Sequence, residues 1–139
     1  MRFLDRLQPL GLLVMRLALG AIMIAYGAQK ALGGMSAFVS IVKGFGFPWW
    51  MAYVAVVAEL GGGTLLVLGL LTRVAALALF VEMCVAIAKV TWPHGLRGPL
   101  GYGFPLACAA LAFALIFFGG GPIALDAVMR GGGGPSKSK

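Results

Sequence analysis

Charge is what this sequence has least of. Lysine, arginine, aspartate and glutamate make up 11% of its 139 residues, and only four residues are acidic, whereas soluble domains carry about 25% charged residues. With 61% hydrophobic residues and a mean hydropathy of +1.01, a water-soluble fold is excluded. Histidine occurs once, as His94, so a haem held by two histidines of one chain and a histidine-rich metal site are excluded as well. The two cysteines, Cys84 and Cys108, stand in hydrophobic stretches without a CxxC spacing and read as small apolar packing residues. Gly61 to Gly63 and Gly119 to Gly121 lack the Lys-Ser/Thr that a nucleotide phosphate loop requires. No nucleophile–base pair is legible, so the chain is not expected to be an enzyme on its own, and no intrinsic cofactor is expected.

The formal net charge of +7 does not point to nucleic acid. Nucleic-acid binders cluster their cations on one face, whereas these are scattered at the ends of hydrophobic stretches. Such cations orient membrane helices and meet anionic lipid.

What is present is a set of long apolar runs. Four read as membrane spans, at about 9–31, 49–71, 74–91 and 104–118, each near the length that crosses a bilayer. The expectation is an all-α, four-helix membrane bundle in one domain, 1–130, followed by a disordered Gly-rich basic tail, 131–139. Pro9 suits a helix start. Gly33 and Gly34 are expected to break the chain, leaving Met35 to Phe47 as a short interfacial or re-entrant segment between the first two spans. Trp49 and Trp50 belong at the headgroup level. Arg2 and Arg6 before the first run superficially resemble a signal peptide, but Arg16 and the absence of a small-residue cleavage site favour a retained signal anchor.

Four spans put both termini on one side. That side carries Arg2, Arg6, Arg73, Arg130, Lys137 and Lys139, and the other carries Lys30, Lys43, Lys89 and Arg97. The excess of positive charge places the termini in the cytoplasm of a multi-pass protein of the plasma (inner) membrane.

The ionisable residues inside the spans carry the functional signal, because each costs about 2.5–3.5 kcal/mol at a helix centre. At 100° per residue, Arg16 shares a face with Gly20, Met23, Gly27 and Lys30; Glu59 with Ala52, Ala55, Gly62, Gly63 and Leu66; Glu82 with Ala75, Ala78, Ala86 and Lys89. Small residues let membrane helices approach closely, so all three charges are expected to face inward. The Arg16 guanidinium is expected within reach of either carboxylate. One arginine cannot balance two glutamates, so either Lys30 or Lys89 also reaches in, or one glutamate stays protonated. Tyr26, Gln29 and His94 are secondary candidates. His94, in an outer loop, reads first as a solvated or interfacial side chain.

These residues resemble the DoxX family of small four-helix membrane proteins over about residues 10–126. The resemblance is carried by Arg16 with Tyr26-Gly27-Ala28-Gln29-Lys30, by Gly46-Phe47-Pro48, and most specifically by Ala58-Glu59-Leu60-Gly61-Gly62-Gly63 with Leu68-Gly69-Leu70-Leu71-Thr72-Arg73. His94, Tyr102-Gly103-Phe104-Pro105-Leu106 and Gly121-Pro122 with Leu125-Asp126 resemble the closing segment. Gly103 stands where many relatives have glutamate, and Ala124 where they have serine. The resemblance implies a link to thiosulfate:quinone oxidoreduction and to membrane redox complexes.

The leading expectation is therefore a non-autonomous subunit of a redox or respiratory-type membrane assembly, binding a quinone or lipid near Arg16, Glu59 and Glu82. It would associate with the bilayer and with other membrane subunits or copies of itself, not with nucleic acid. A purely structural accessory subunit and an oligomeric carrier of protons or a small solute are the alternatives.

Overall fold

The computed structural model describes residues 1–131; the tail read as disordered lies, from residue 132 onward, outside the described residues. In chain order the elements are α1 (Arg2–Asp5), α2 (Gln8–Gln29), a π-helical turn (Lys30–Gly34), α3 (Met35–Gly44), α4 (Trp50–Leu68) and α5 (Thr72–Ala86). A second π-helical turn (Ile87–Thr91), a 3-10 turn (Trp92–His94), α6 (Gly103–Phe118) and α7 (Leu125–Arg130) follow. No strand occurs among the described residues. Backbone groups in hydrocarbon must find their partners within the protein, and helices satisfy nearly all of them internally.

Three helical stretches are long and apolar enough to cross a membrane: Gln8–Gly44, Trp50–Leu68 and Thr72–His94. This is a multi-pass membrane protein. α6 is a shorter apolar helix of 16 residues.

Local sequence explains most boundaries. Pro9 stands in the first turn of α2, where its missing N–H has no cost. Gly69, at φ 74°, closes α4 in the left-handed conformation that glycine adopts without a Cβ penalty. Leu71, at φ 46°, is the one non-glycine residue with positive φ among those described, a conformation that costs of order 1–3 kcal/mol unless its surroundings hold it. Gly33 and Gly34 meet the sequence expectation in part. The helical run continues for 37 residues, but it passes through a π-helical turn and leaves helical dihedrals at Gly34 (φ −107°, ψ 5°), where α3 begins as a separate element. Each glycine weakens a helix by only about 1 kcal/mol, less than the cost of unpaired backbone groups in lipid.

α2 and α4 cross with backbones in contact. A Cβ built on Gly20 would stand 2.8 Å from the Gly63 carbonyl oxygen, and one built on Gly63 would stand 2.8 Å from that of Gly20. α5 and α6 pack through Ala75, Ala76 and Leu79 with Cys108, Ala109, Ala112 and Leu115, completing a core that includes Leu19, Met23 and Leu66. Cys108 is buried in this core and Cys84 is exposed on α5. The exposed helix faces carry large apolar side chains such as Val57, Leu77, Phe113 and Phe117, as a lipid-facing surface requires.

The expected faces hold for two helices and shift on the third. On α2, Arg16, Gly20, Met23 and Gly27 are buried together; on α4, Ala52, Glu59, Gly62, Gly63 and Leu66 are buried. On α5 the buried ridge is Thr72, Ala75, Ala76, Leu79 and Met83. Ala78 is exposed, and Glu82 lies at the edge of the ridge, half-buried.

Candidate functional site

Antiparallel register divides the intramembrane charges into two separate clusters. Gly27 of α2 lies against Glu59 and Leu60, since a Cβ there would come within 3.1 Å of Glu59 Cβ. The same register sets Gly20 against Gly63 and brings Arg16 level with Gly69, where a Cβ would stand 2.8 Å from Arg16 Nη1. Arg16 and Glu59 are thus separated by the helix length from 59 to 69, about 15 Å at 1.5 Å per residue. The expected reach of Arg16 to a carboxylate is not what the fold provides.

The first cluster is Lys30, Glu59 and Glu82. Lys30 Nζ donates to Glu59 Oε1 at 2.5 Å. The Glu59 side chain is 4% exposed and that of Lys30 25%. Lys30 Nζ also stands 4.3 Å from the centroid of the Phe38 ring, a cation–π contact that joins α3 to the pair. The Glu82 carboxyl lies beside that of Glu59. Oε2 of Glu59 and Oε2 of Glu82 are both buried and accept no hydrogen bond among the described residues, an arrangement that costs about 1–3 kcal/mol per group unless a ligand or proton satisfies it.

These side chains stand in the wall of a cleft of about 530 Å³ whose other walls are mainly apolar and aromatic, including Phe38, Phe45, Phe47, Met51 and Phe104. Tyr26 also lines it, packing against Phe104 with ring centroids 5.1 Å apart. The loop after the 3-10 turn closes one side with Gly98 to Gly101. It is held by the Tyr102 N–H to Gly95 carbonyl bond of 2.9 Å and by the Trp92–Tyr102 stack at 5.2 Å. Both π-helical turns border the cleft, through Lys30 on one and Val90 and Thr91 on the other. Such turns often mark functional sites.

Of the remaining sequence candidates, Gln29, Lys89 and His94 are exposed and do not line the cleft. Lys30, not Lys89, is the lysine that reaches the carboxylates.

The second cluster lies at the opposite end of α4, around its turn into α5. Arg16 Nη1 donates to the Gly120 carbonyl at 2.8 Å. Asp126 Oδ1 accepts the Leu71 N–H at 2.9 Å and Oδ2 the Thr72 N–H at 3.0 Å, while its own N–H donates to the Gly69 carbonyl at 2.9 Å. Asp126 thereby caps α5 from a distant part of the chain, satisfying donors that the start of a helix leaves free. Partial desolvation of the Asp126 carboxyl opposes its ionisation, but the Thr72 and Leu71 N–H groups, aided by the nearby Arg130 charge, outweigh it and hold the carboxyl below its ordinary range. Gly120 fits against Thr72 and Ala124 only because it lacks a Cβ, which would stand 2.7 Å from Thr72 Oγ1.

Sequence reasoning gave no role to Asp126, Thr72, Gly120 or Phe38. Thr72 and Asp126 figured only within the stretches that resemble the family, Thr72-Arg73 and Leu125-Asp126, and neither stretch carries a mark of its partner some fifty residues away.

The DoxX family model matches residues 11–92, more than half of the chain. The chain belongs to the DoxX family. All of α4 and α5 and all but the first three residues of α2, with both carboxylates and Lys30, fall inside the matched region. This DoxX protein is 34% identical over 130 residues, 91% of its length and 96% of the relative's, to a Haemophilus influenzae protein named "Uncharacterized protein". It is 30% identical over 106 residues, 76% of its length and 78% of the relative's, to the Bacillus subtilis protein named "Putative oxidoreductase CatD". No solved structure matches it.

Proposed function

We propose that this DoxX protein is a non-autonomous subunit of a membrane redox assembly and that its cleft holds the ring of a quinone-like molecule. The observation that carries this reading is the Lys30–Glu59–Glu82 cluster in the wall of a 530 Å³ apolar, aromatic cleft. A pocket that is mainly apolar with a few convergent polar groups is the usual form of a small-molecule site. Aromatic walls suit a flat ring, the Lys30 ammonium can donate to a carbonyl oxygen, and the unengaged carboxyl oxygens can exchange protons with a ring hydroxyl. An electrically balanced cluster of two carboxyls and one ammonium carries one proton on the carboxyl pair. The redox name of the Bacillus subtilis relative is in keeping with this reading, and electron donors or acceptors would come from partner subunits. Arg16 has no part in the cleft.

In this reading α6 is a fourth span. Its 16 residues give about 24 Å of helix, continued by Gly119 to Gly121, and both termini then lie on the cytoplasmic face of the plasma (inner) membrane.

The test is quinone retention. The purified chain in lipid nanodiscs containing a long-chain quinone should keep the quinone through washing, as quantified after solvent extraction, and Glu59→Gln and Lys30→Met should each lower the retained amount about tenfold. Equal retention by wild type and both variants would sink the proposal.

A further inference from the structure

The end of the bundle opposite the cleft carries a second concavity, of about 330 Å³, lined by Arg73, Phe118, Gly119 to Pro122, Asp126, Ala127 and Arg130. We propose that it binds the phosphate group of an anionic phospholipid, independently of any ligand in the cleft.

Two guanidinium groups flank the concavity, and among the described residues neither forms an ion pair. The one carboxylate in its wall, Asp126, has both oxygens engaged by the Leu71 and Thr72 N–H groups. Its charge also acts on the nearby Arg130, and two arginines against this one carboxylate leave the concavity net positive. Arg16 adds a third positive charge behind the wall, bonded to the Gly120 carbonyl. Gly119 brings the backbone up to Arg73, since a Cβ there would come within 3.3 Å of Arg73 Nε. Among the described residues, the Gly120 and Gly121 N–H groups make no backbone hydrogen bond. Arginine pairs with phosphate through two parallel N–H···O bonds, and free backbone N–H groups in glycine-rich turns add to anion binding.

A phospholipid fits better than a soluble phosphate because of what adjoins the charges. Phe118 lines the concavity and is 69% exposed, and Phe117, 62% exposed, continues the apolar surface along α6. A phosphate held between Arg73 and Arg130 would leave acyl chains free to lie along that surface. The glycines here lack the Lys-Ser/Thr of a nucleotide loop, which also disfavours a soluble nucleotide.

Native mass spectrometry of the full chain, released from mixed phosphatidylglycerol and phosphatidylcholine nanodiscs, tests this directly. Wild type should retain phosphatidylglycerol in preference to phosphatidylcholine. Arg73→Gln and Arg130→Gln should each weaken retention about fivefold, the worth of one arginine near an anionic surface, with Arg73→Lys losing less than Arg73→Gln. Arg130 is exposed on the terminal helix, so its variant reports on binding even if Arg73→Gln folds poorly. Equal retention of the two lipids, or undiminished phosphatidylglycerol on Arg130→Gln, would overturn the proposal. So would displacement of the bound lipid by inorganic phosphate alone, which would assign the site to a soluble ligand.

Discussion

Asp126 caps Thr72 across the fold: its Oδ2 accepts the Thr72 N–H at 3.0 Å, and its Oδ1 takes the neighbouring Leu71 N–H at 2.9 Å. One side chain thus satisfies two N–H groups at the start of α5, holds Leu71 in its left-handed conformation and ties the segment after α6 to the α4–α5 turn. Replacing a capping side chain by alanine costs about 0.5–2 kcal/mol, and Asp126→Ala should fall at the upper end because Leu71 is also released. Thermal unfolding in detergent measures it.

The same contact sets a pH dependence. Because the folded-state Asp126 carboxyl lies below its ordinary range, its stabilisation is complete above the unfolded value of about 3.9 and is lost as pH falls from there through the folded value. Wild type should lose this increment below about pH 4, while Asp126→Asn should lack that part of the acid sensitivity. Parallel melting curves of the two across pH 3 to 6 would refute the assignment.

Lys30→Met should destabilise strongly. It leaves the Glu59 carboxylate buried without its cation, a defect worth about 3–5 kcal/mol in buried pairs. The double variant Lys30→Met with Glu59→Gln should recover much of the loss. Arg16 supplies the control, since it belongs to the other cluster: Arg16→Gln and Glu59→Gln should combine additively to within about 0.3–0.5 kcal/mol. A large coupling between Arg16 and Glu59 in denaturant titrations would contradict the register described above.

Gly20→Ala and Gly63→Ala should each cost about 1–3 kcal/mol through overpacking, because the added methyl meets a carbonyl oxygen of the facing helix. Gly61→Ala is the counterpart on the open face of α4, with nothing within 4 Å. It should be neutral or stabilise slightly through helix propensity. Unfolding midpoints of the three variants decide this.

Hydropathy and helical periodicity alone determined that this chain is a helical membrane protein and which faces of α2 and α4 turn inward, because lipid forces backbone bonding into helices and small residues into contacts. The matched region was legible for a different reason, the resemblance of its Glu59-Leu60-Gly61-Gly62-Gly63 and Thr72-Arg73 stretches to the family. A face, however, is only an angle about one helix axis. It does not say how far one helix is displaced along another, and that displacement decided which charges meet. The Gly20–Gly63 crossing fixed the register of α2 on α4, gave Glu59 to Lys30 and sent Arg16 to Gly120. The Asp126 cap depended on a loop returning from the far end of the chain to the α4–α5 turn, a contact that tertiary packing alone creates.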